Sequence, residues 1–175
     1  MTAITACGTP PGYRAAARNE LPNVDVTKTA LQLAADRPRW KDLVRFDEIS
    51  PRRISLDVDR RYEAWLLTWL PGQHTVWHDH GGSDGAFVVL QGILTEQRAA
   101  VRLDSPPSAE PFAQQYAYEC VRAFDGRHIH MLRNEAPRPA VSLHLYLPPP
   151  TQVCFYRLRG DQIVHTGTTL TRNNP

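Results

Sequence analysis

Residues 77–92 read Trp-His-Asp-His-Gly-Gly-Ser-Asp-Gly-Ala-Phe-Val-Val-Leu-Gln-Gly, and this stretch decides the fold. Ala86 to Leu90 form a short run of β-branched and aromatic residues that ends at Gly92, as a strand closed by a turn does. Ahead of it stand His78 and His80, two positions apart. In an extended chain such residues point to one face, so both imidazoles project into whatever that face encloses. The same pattern of short strands recurs on both sides: Ile54–Leu56, Ala64–Leu70, Ile93–Leu94, Val101–Leu103, Tyr116–Tyr118, Val141–Tyr146 and Val153–Tyr156, separated by Gly or Pro turns. Many short strands at close spacing argue for an all-β protein, an antiparallel sandwich or barrel. The stretch 104–111 holds three prolines and is expected to be an exposed loop.

Upstream the period changes. Ala30, Leu31, Leu33 and Ala34, then Trp40, Leu43 and Val44, recur at helical spacing broken by Pro38. This predicts two short helices over 27–46, set before a barrel spanning about 50–170. Residues 1–26 show no period and carry Gly8, Pro10, Pro11 and Pro22, so a mobile arm is expected there, with 27–175 as one domain. A total of 175 residues suits a single core better than two thin ones.

Composition excludes several partners. The net charge of +2 comes from 20 basic and 18 acidic residues without a long run of either sign, so nucleic acid is not an expected ligand. No apolar run approaches the roughly 18 residues that cross a bilayer, and the first residues lack the apolar core of a signal peptide. Cys7, Cys120 and Cys154 are widely spaced with no CxxC pair, which reads as unpaired cysteines in a reducing cytoplasm.

Five histidines fall into three short β-like segments: His78 and His80, His128 and His130, and His144. Two imidazoles on one strand face, joined by a third from another strand, can bind one divalent ion and leave other positions open. Gly72 precedes His78 by six positions, and Asn134 follows His130 by four. These spacings resemble the two half-motifs of the cupin barrels (double-stranded β-helix, or jelly-roll, folds). The usual glutamate of the first motif is absent, and Asp84 or Gly85 falls near its place. Three histidine ligands are therefore expected, with Asp84 as a possible fourth.

Taken with AVSLHLYLPP at 140–149, the opening stretch is similar to the cysteine dioxygenase family of thiol dioxygenases over about residues 51–150. The resemblance implies one non-haem Fe(II) per chain held by His78, His80 and His130. His128 competes for the third place, but only His130 has the Asn four residues on. Three neutral imidazoles leave the ion its full charge, which favours an anionic, soft thiolate ligand. With O2 the expected product is a sulfinic acid. Ser142, His144 and Tyr146 alternate on one strand. In the family such a row is a hydrogen-bonded relay whose tyrosine reaches the iron pocket.

The family's carboxylate-binding arginine falls near Arg52 and Arg53. Gapless counting from His78 selects Arg52, whose parity matches Ile54 and Leu56, while Arg53 requires a gap. Animal members join a cysteine to the active-site tyrosine by a thioether, and Gly85 stands at that cysteine's place, as in bacterial-type members. The resemblance thus implies oxidation of L-cysteine to cysteine sulfinic acid. Alternatives are a 3-mercaptopropionate dioxygenase, a non-oxidative metal cupin, and a cupin that binds a small ligand without turnover.

Overall fold

The computed structural model describes residues 24–102, 105–110 and 112–171, so the expected N-terminal arm lies outside the described residues up to position 23. Helix α1 (Val26–Ala35) begins where the Asp25 carboxylate accepts the Lys28 N–H at 3.0 Å. A helix of 10 residues is marginal alone in water. Tertiary packing holds it, because Ala30 and Leu33 are buried against the sheet behind. Burying a leucine side chain contributes roughly 1.5–3 kcal/mol. After Asp36 the chain restarts as α2 (Arg37–Trp40) with Pro38 in its first turn, where a missing N–H leaves no bond unmade.

The strands follow as β1 (Arg52–Val58), β2 (Glu63–Trp69), β3 (Trp77–His78), β4 (Asp84–Gln91), β5 (Ile93–Arg102), β6 (Ser105–Ala109), β7 (Gln114–Ala117), β8 (Val121–Phe124), β9 (His130–Arg133), β10 (Ala140–Leu147), β11 (Gln152–Arg159) and β12 (Gln162–Leu170). They form two antiparallel sheets. One runs β1-β2-β10-β4-β8, and the other runs β6-β12-β11-β3-β9-β5-β7 with β6 also paired to β5. The expected all-β architecture fronted by short helices is what the chain forms.

Period 2 explains how the five-stranded sheet packs. Ala64 and Leu66 of β2, Ala86, Val88 and Leu90 of β4, and Val141, Leu143 and Leu145 of β10 face α1. The alternate residues Trp65, Leu67, Trp69, Phe87, Val89 and Tyr146, with Phe124 of β8, face the other way, toward Leu94, Tyr116 and Leu132 of the second sheet. This sheet is therefore apolar on both faces. Gly92 turns β4 into β5 at φ +78°, and a Cβ there would come within 2.8 Å of the Pro139 carbonyl oxygen.

Three expectations change. The stretch expected as an exposed loop over 104–111 carries β6, because the two prolines 106 and 107 sit in a register shift between the Arg102–Ser105 and Ala100–Ser108 pairs. The short runs at 93–94 and 101–103 are two parts of one strand, β5, whose polar middle hides its continuity. Cys154 is fully buried and disulfide-bonded rather than unpaired, Cys120 is free and exposed, and Cys7 lies outside the described residues. Wide spacing cannot disclose a pairing that depends on Cα separation in the fold. No helix among the described residues is long and apolar enough to cross a membrane.

Candidate metal centre

Strands β3 and β9 pair with His78 directly opposite His130, and His80 follows two residues after His78. One ligand nitrogen from each of His78, His80 and His130 lies within 4.8 Å of the others, so the three could hold a metal ion. His80 Nε2 and His130 Nε2 are 3.3 Å apart. Two nitrogens bound at about 2.1 Å with angles from square to tetrahedral would stand roughly 3.0–3.4 Å apart. The observed spacing fits.

Protonation fits as well. His78 Nδ1 donates to the Val76 carbonyl at 2.9 Å, and His130 Nδ1 donates to Glu96 Oε1 at 2.8 Å. In a neutral imidazole each such bond leaves a lone pair on Nε2. Burial, then the neighbouring imidazoles, holds His80 well below the usual histidine pKa. Burial also lowers His78, and it lowers His130 to about 3 against the opposing pull of Glu96. All three are kept in the neutral form that a metal takes.

Glu96 of β5 is the main group that motif reading misses. It is fully buried, and its Oε1 also accepts from His128 Nε2 at 2.9 Å. Its Oε2 accepts from the Tyr116 hydroxyl at 3.1 Å, and Arg122 Nε lies 3.5 Å away. Burial pushes this carboxyl up, but the contacts from His128 and His130 outweigh it and hold it well below the usual carboxylate range. His128 thus sits beside His130 as a second partner of Glu96, with its ring stacked on Phe124 at 4.7 Å. One signal could have found Glu96, namely its strand parity with the buried Leu94.

Asn134 lies away from the histidine cluster. Fully buried, it donates through Nδ2 to the Trp69 and Arg138 carbonyls and accepts the Ala136 N–H, tying the end of β9 to the end of β2. Asp84 is exposed and accepts the Gly126 N–H at 2.9 Å, which turns it away from the histidines. It does not join the cluster as a fourth ligand.

Ser142, His144 and Tyr146 all point inward from β10, and the row is longer than the motif suggests. Trp69 Nε1 donates to Ser142 Oγ at 2.9 Å. The Ser142 proton then goes to His144 Nε2 at 2.8 Å. Burial, with the charges of nearby groups, lowers His144 to about 3 and keeps it neutral, so its one proton sits on Nδ1. Nδ1 faces the Tyr146 oxygen at 3.4 Å. The tyrosine keeps its own proton for the pocket, since burial raises its pKa further above neutrality. Its ring lies 4.3 Å from that of His80.

Of the two arginines, Arg53 is on the pocket face. Its NH2 meets Glu63 Oε1 at 3.2 Å, and its Cζ lies 3.6 Å over the Trp65 ring. Arg52 shares the parity of Ile54 and Leu56, as expected, but those residues pack toward α1 rather than into the barrel. The geometry favours the alternative, Arg53, for a role in the pocket. Matching apolar neighbours marks the helix side here, because both faces of the sheet are apolar.

Gly85 lies opposite Tyr146, and a Cβ on it would come within 2.4 Å of Phe124 Cζ. Phe124 fills the space that a cysteine side chain would need. No thioether is expected, so after reduction the intact mass should equal the sequence mass apart from initiator Met removal. A loss of two hydrogens that survives reduction would reveal a cross-link.

A family model described as "Cysteine dioxygenase type I" matches residues 14–159. Cysteine dioxygenase type 1 of Danio rerio is 27% identical over 135 residues, which is 73% of this chain and 66% of that protein. The Homo sapiens protein of the same name is 29% identical over 119 residues, covering 66% of this chain and 60% of its own length. The chain thus spans less than two thirds of these relatives. A Thermus thermophilus protein superimposes with a TM-score of 0.53 at 24% identity, covering 63% of this chain and 94% of its own. A Klebsiella pneumoniae protein with a double-stranded β-helix domain gives 0.54 at 14% identity, covering 67% and 94%. These likenesses establish the cupin fold.

Proposed function

The chain belongs to the cysteine dioxygenase type I family, and from that premise we propose that it is an Fe(II)-dependent thiol dioxygenase converting L-cysteine and O2 to cysteine sulfinic acid. One observation carries the reading: three neutral imidazoles converge beside a tyrosine whose proton is free for the pocket. One iron per chain would be held by His78, His80 and His130. When bound there, a ferrous ion supplies a Lewis acid that favours the thiolate form of the substrate and can share electrons with O2.

The overall change is RSH + O2 → RSO2H. Both oxygen atoms enter the product, sulfur loses four electrons and O2 gains them, so no outside reductant is needed. The chain's own groups bind and orient. Arg53 offers its guanidinium to the substrate carboxylate. Tyr146 donates a hydrogen bond to the reacting atoms, oriented by His144, which Ser142 and Trp69 hold in one tautomer. Phe87 and Phe124 line the interior and exclude water.

O2 consumption by iron-loaded protein against a panel of small thiols, with sulfinate identified by mass spectrometry, tests this reading. Cysteine is expected to be consumed with one O2 per sulfinate formed. Arg53→Ala should raise KM for carboxylated thiols roughly ten- to a hundred-fold more than for cysteamine, since a charged bidentate contact is lost. Arg52→Ala should leave that ratio unchanged. A selective loss in Arg52→Ala would return the role to Arg52.

A further inference from the structure

The histidines of the candidate centre are not all held alike. His78 and His130 each use Nδ1 in a hydrogen bond, to the Val76 carbonyl and to Glu96, which fixes the ring and its tautomer. His80 meets His130 through Nε2, but among the described residues nothing bonds to its Nδ1. Its ring packs on Phe124 and Tyr146, with centroids 5.7 and 4.3 Å away. Such packing limits the tilt of the ring and leaves the backbone to aim it.

Asp79 grips that backbone. Standing between the two histidines in extended chain, it sends its side chain to the opposite face, away from the cluster. There it is buried. Its N–H donates to the Cys154 carbonyl at 3.0 Å, its Oδ1 accepts the Gly81 N–H at 2.8 Å, and its Oδ2 accepts the Tyr156 hydroxyl at 2.6 Å. Cys154 and Tyr156 both belong to β11, whose Phe155 pairs with His78. Gly81 lies against the start of the same strand at φ +61°, where a Cβ would come within 2.5 Å of the Gln152 carbonyl oxygen. His80 is thus bracketed by residues 79 and 81, and both lean on β11. A buried carboxyl is costly unless it is bonded, and here both oxygens are.

We propose that Asp79 and Tyr156 are positioning residues for the metal centre, a clamp from β11 that aims His80, the ligand whose ring has no hydrogen bond to orient it. Asp79 itself stays outside the cluster, so the ion would keep its neutral ligands. The proposal rests on the three-histidine site and not on thiol chemistry.

Co(II) titration of the metal-free full chain tests the clamp, with affinity from chelator competition and visible absorption bands recorded on the same samples. The bands follow ligand geometry, which a mere loss of stability does not alter. Tyr156→Phe keeps the ring and deletes one hydroxyl, so it should shift the bands and weaken Co(II) roughly three- to ten-fold, the worth of one hydrogen bond. Asp79→Ala should weaken it about ten- to a hundred-fold. Asp79→Asn can still accept from Gly81 and offer its NH2 to the Tyr156 oxygen, and should recover most of that loss. The double variant Asp79→Ala with Tyr156→Phe should bind no more weakly than Asp79→Ala alone, since Tyr156 acts through Asp79. Variants that melt lower yet keep the parent's affinity and bands would make the pair purely structural and overturn the proposal. Additive losses in the double variant would also overturn it. Should Asp79→Ala not fold, Tyr156→Phe decides: unchanged bands sink the clamp, shifted bands support it. A parent that takes up no Co(II) overturns the clamp together with the metal centre. Sulfinate formation absent from a parent whose clamp passes these tests would sink only the dioxygenase reading.

Discussion

Protein carrying His80→Ala is expected to leave purification without iron and without turnover, where the parent should hold up to one iron per chain. The reason is geometric. His80 and His130 bring their Nε2 atoms to 3.3 Å, and with His78 they make a three-nitrogen cluster with no carboxylate in it. Removing one imidazole leaves two neutral ligands and no charge to hold the ion. Iron per chain by elemental analysis, alongside the rate of sulfinate formation, reads the outcome. A variant that kept its metal and its rate would place the centre elsewhere. Glu96→Gln supplies the graded comparison. Removing the carboxylate that orients His130 Nδ1 should weaken metal affinity about ten- to a hundred-fold, measured by competition with a chelator. Loss of the metal there, with unfolding temperature preserved, would separate an effect on the ligand from a general loss of structure.

Tyr146→Phe should slow sulfinate formation roughly ten-fold to a thousand-fold while iron stays bound, because a preorganised donor of this kind contributes about 2–4 kcal/mol to the reacting complex. The substitution preserves the ring that lies beside His80 and deletes only the hydroxyl. The direction of the hydrogen bonds makes the case specific. An indole N–H can only donate, so Ser142 must pass its proton to His144, and His144 then presents Nδ1–H to the phenol oxygen. The phenol proton is the one left over, and it faces the pocket. Single-turnover rates with iron content measured on the same samples read the effect. An unchanged rate would mean that the row is only a polar strand face.

Much of this was legible along the chain, and the legible part is local. Alternation and turn glycines are properties of a few consecutive residues. They marked the all-β class, placed His78 with His80, and put Ser142, His144 and Tyr146 on one face before any partner strand was known. The helices over 27–46 were equally readable from their apolar period. Less visible were β3, β8, β9 and β12, which are short or largely polar on one side and carry little pattern of their own.

The choice between Arg52 and Arg53 shows why local pattern stops where it does. Parity sorts β1 into two sets, but it does not say which set faces the pocket. On a sheet with one wet face the apolar set would answer. Here α1 covers one side and the second sheet the other, so Ile54 and Leu56 are half-buried against the core on the helix side while Arg53 turns inward over Trp65. The same ambiguity hid Glu63 and Glu96, charged residues at interior positions that only their distant partners make tolerable: Arg53 for one, His128 and His130 for the other. A buried carboxylate is stable only when paired, and those pairs join residues from 10 to 34 positions apart in sequence. Period and turn chemistry thus determined the fold class and the histidine motifs. Which face of the five-stranded sheet became the pocket, and which charges could survive there, was decided by what packs against each side.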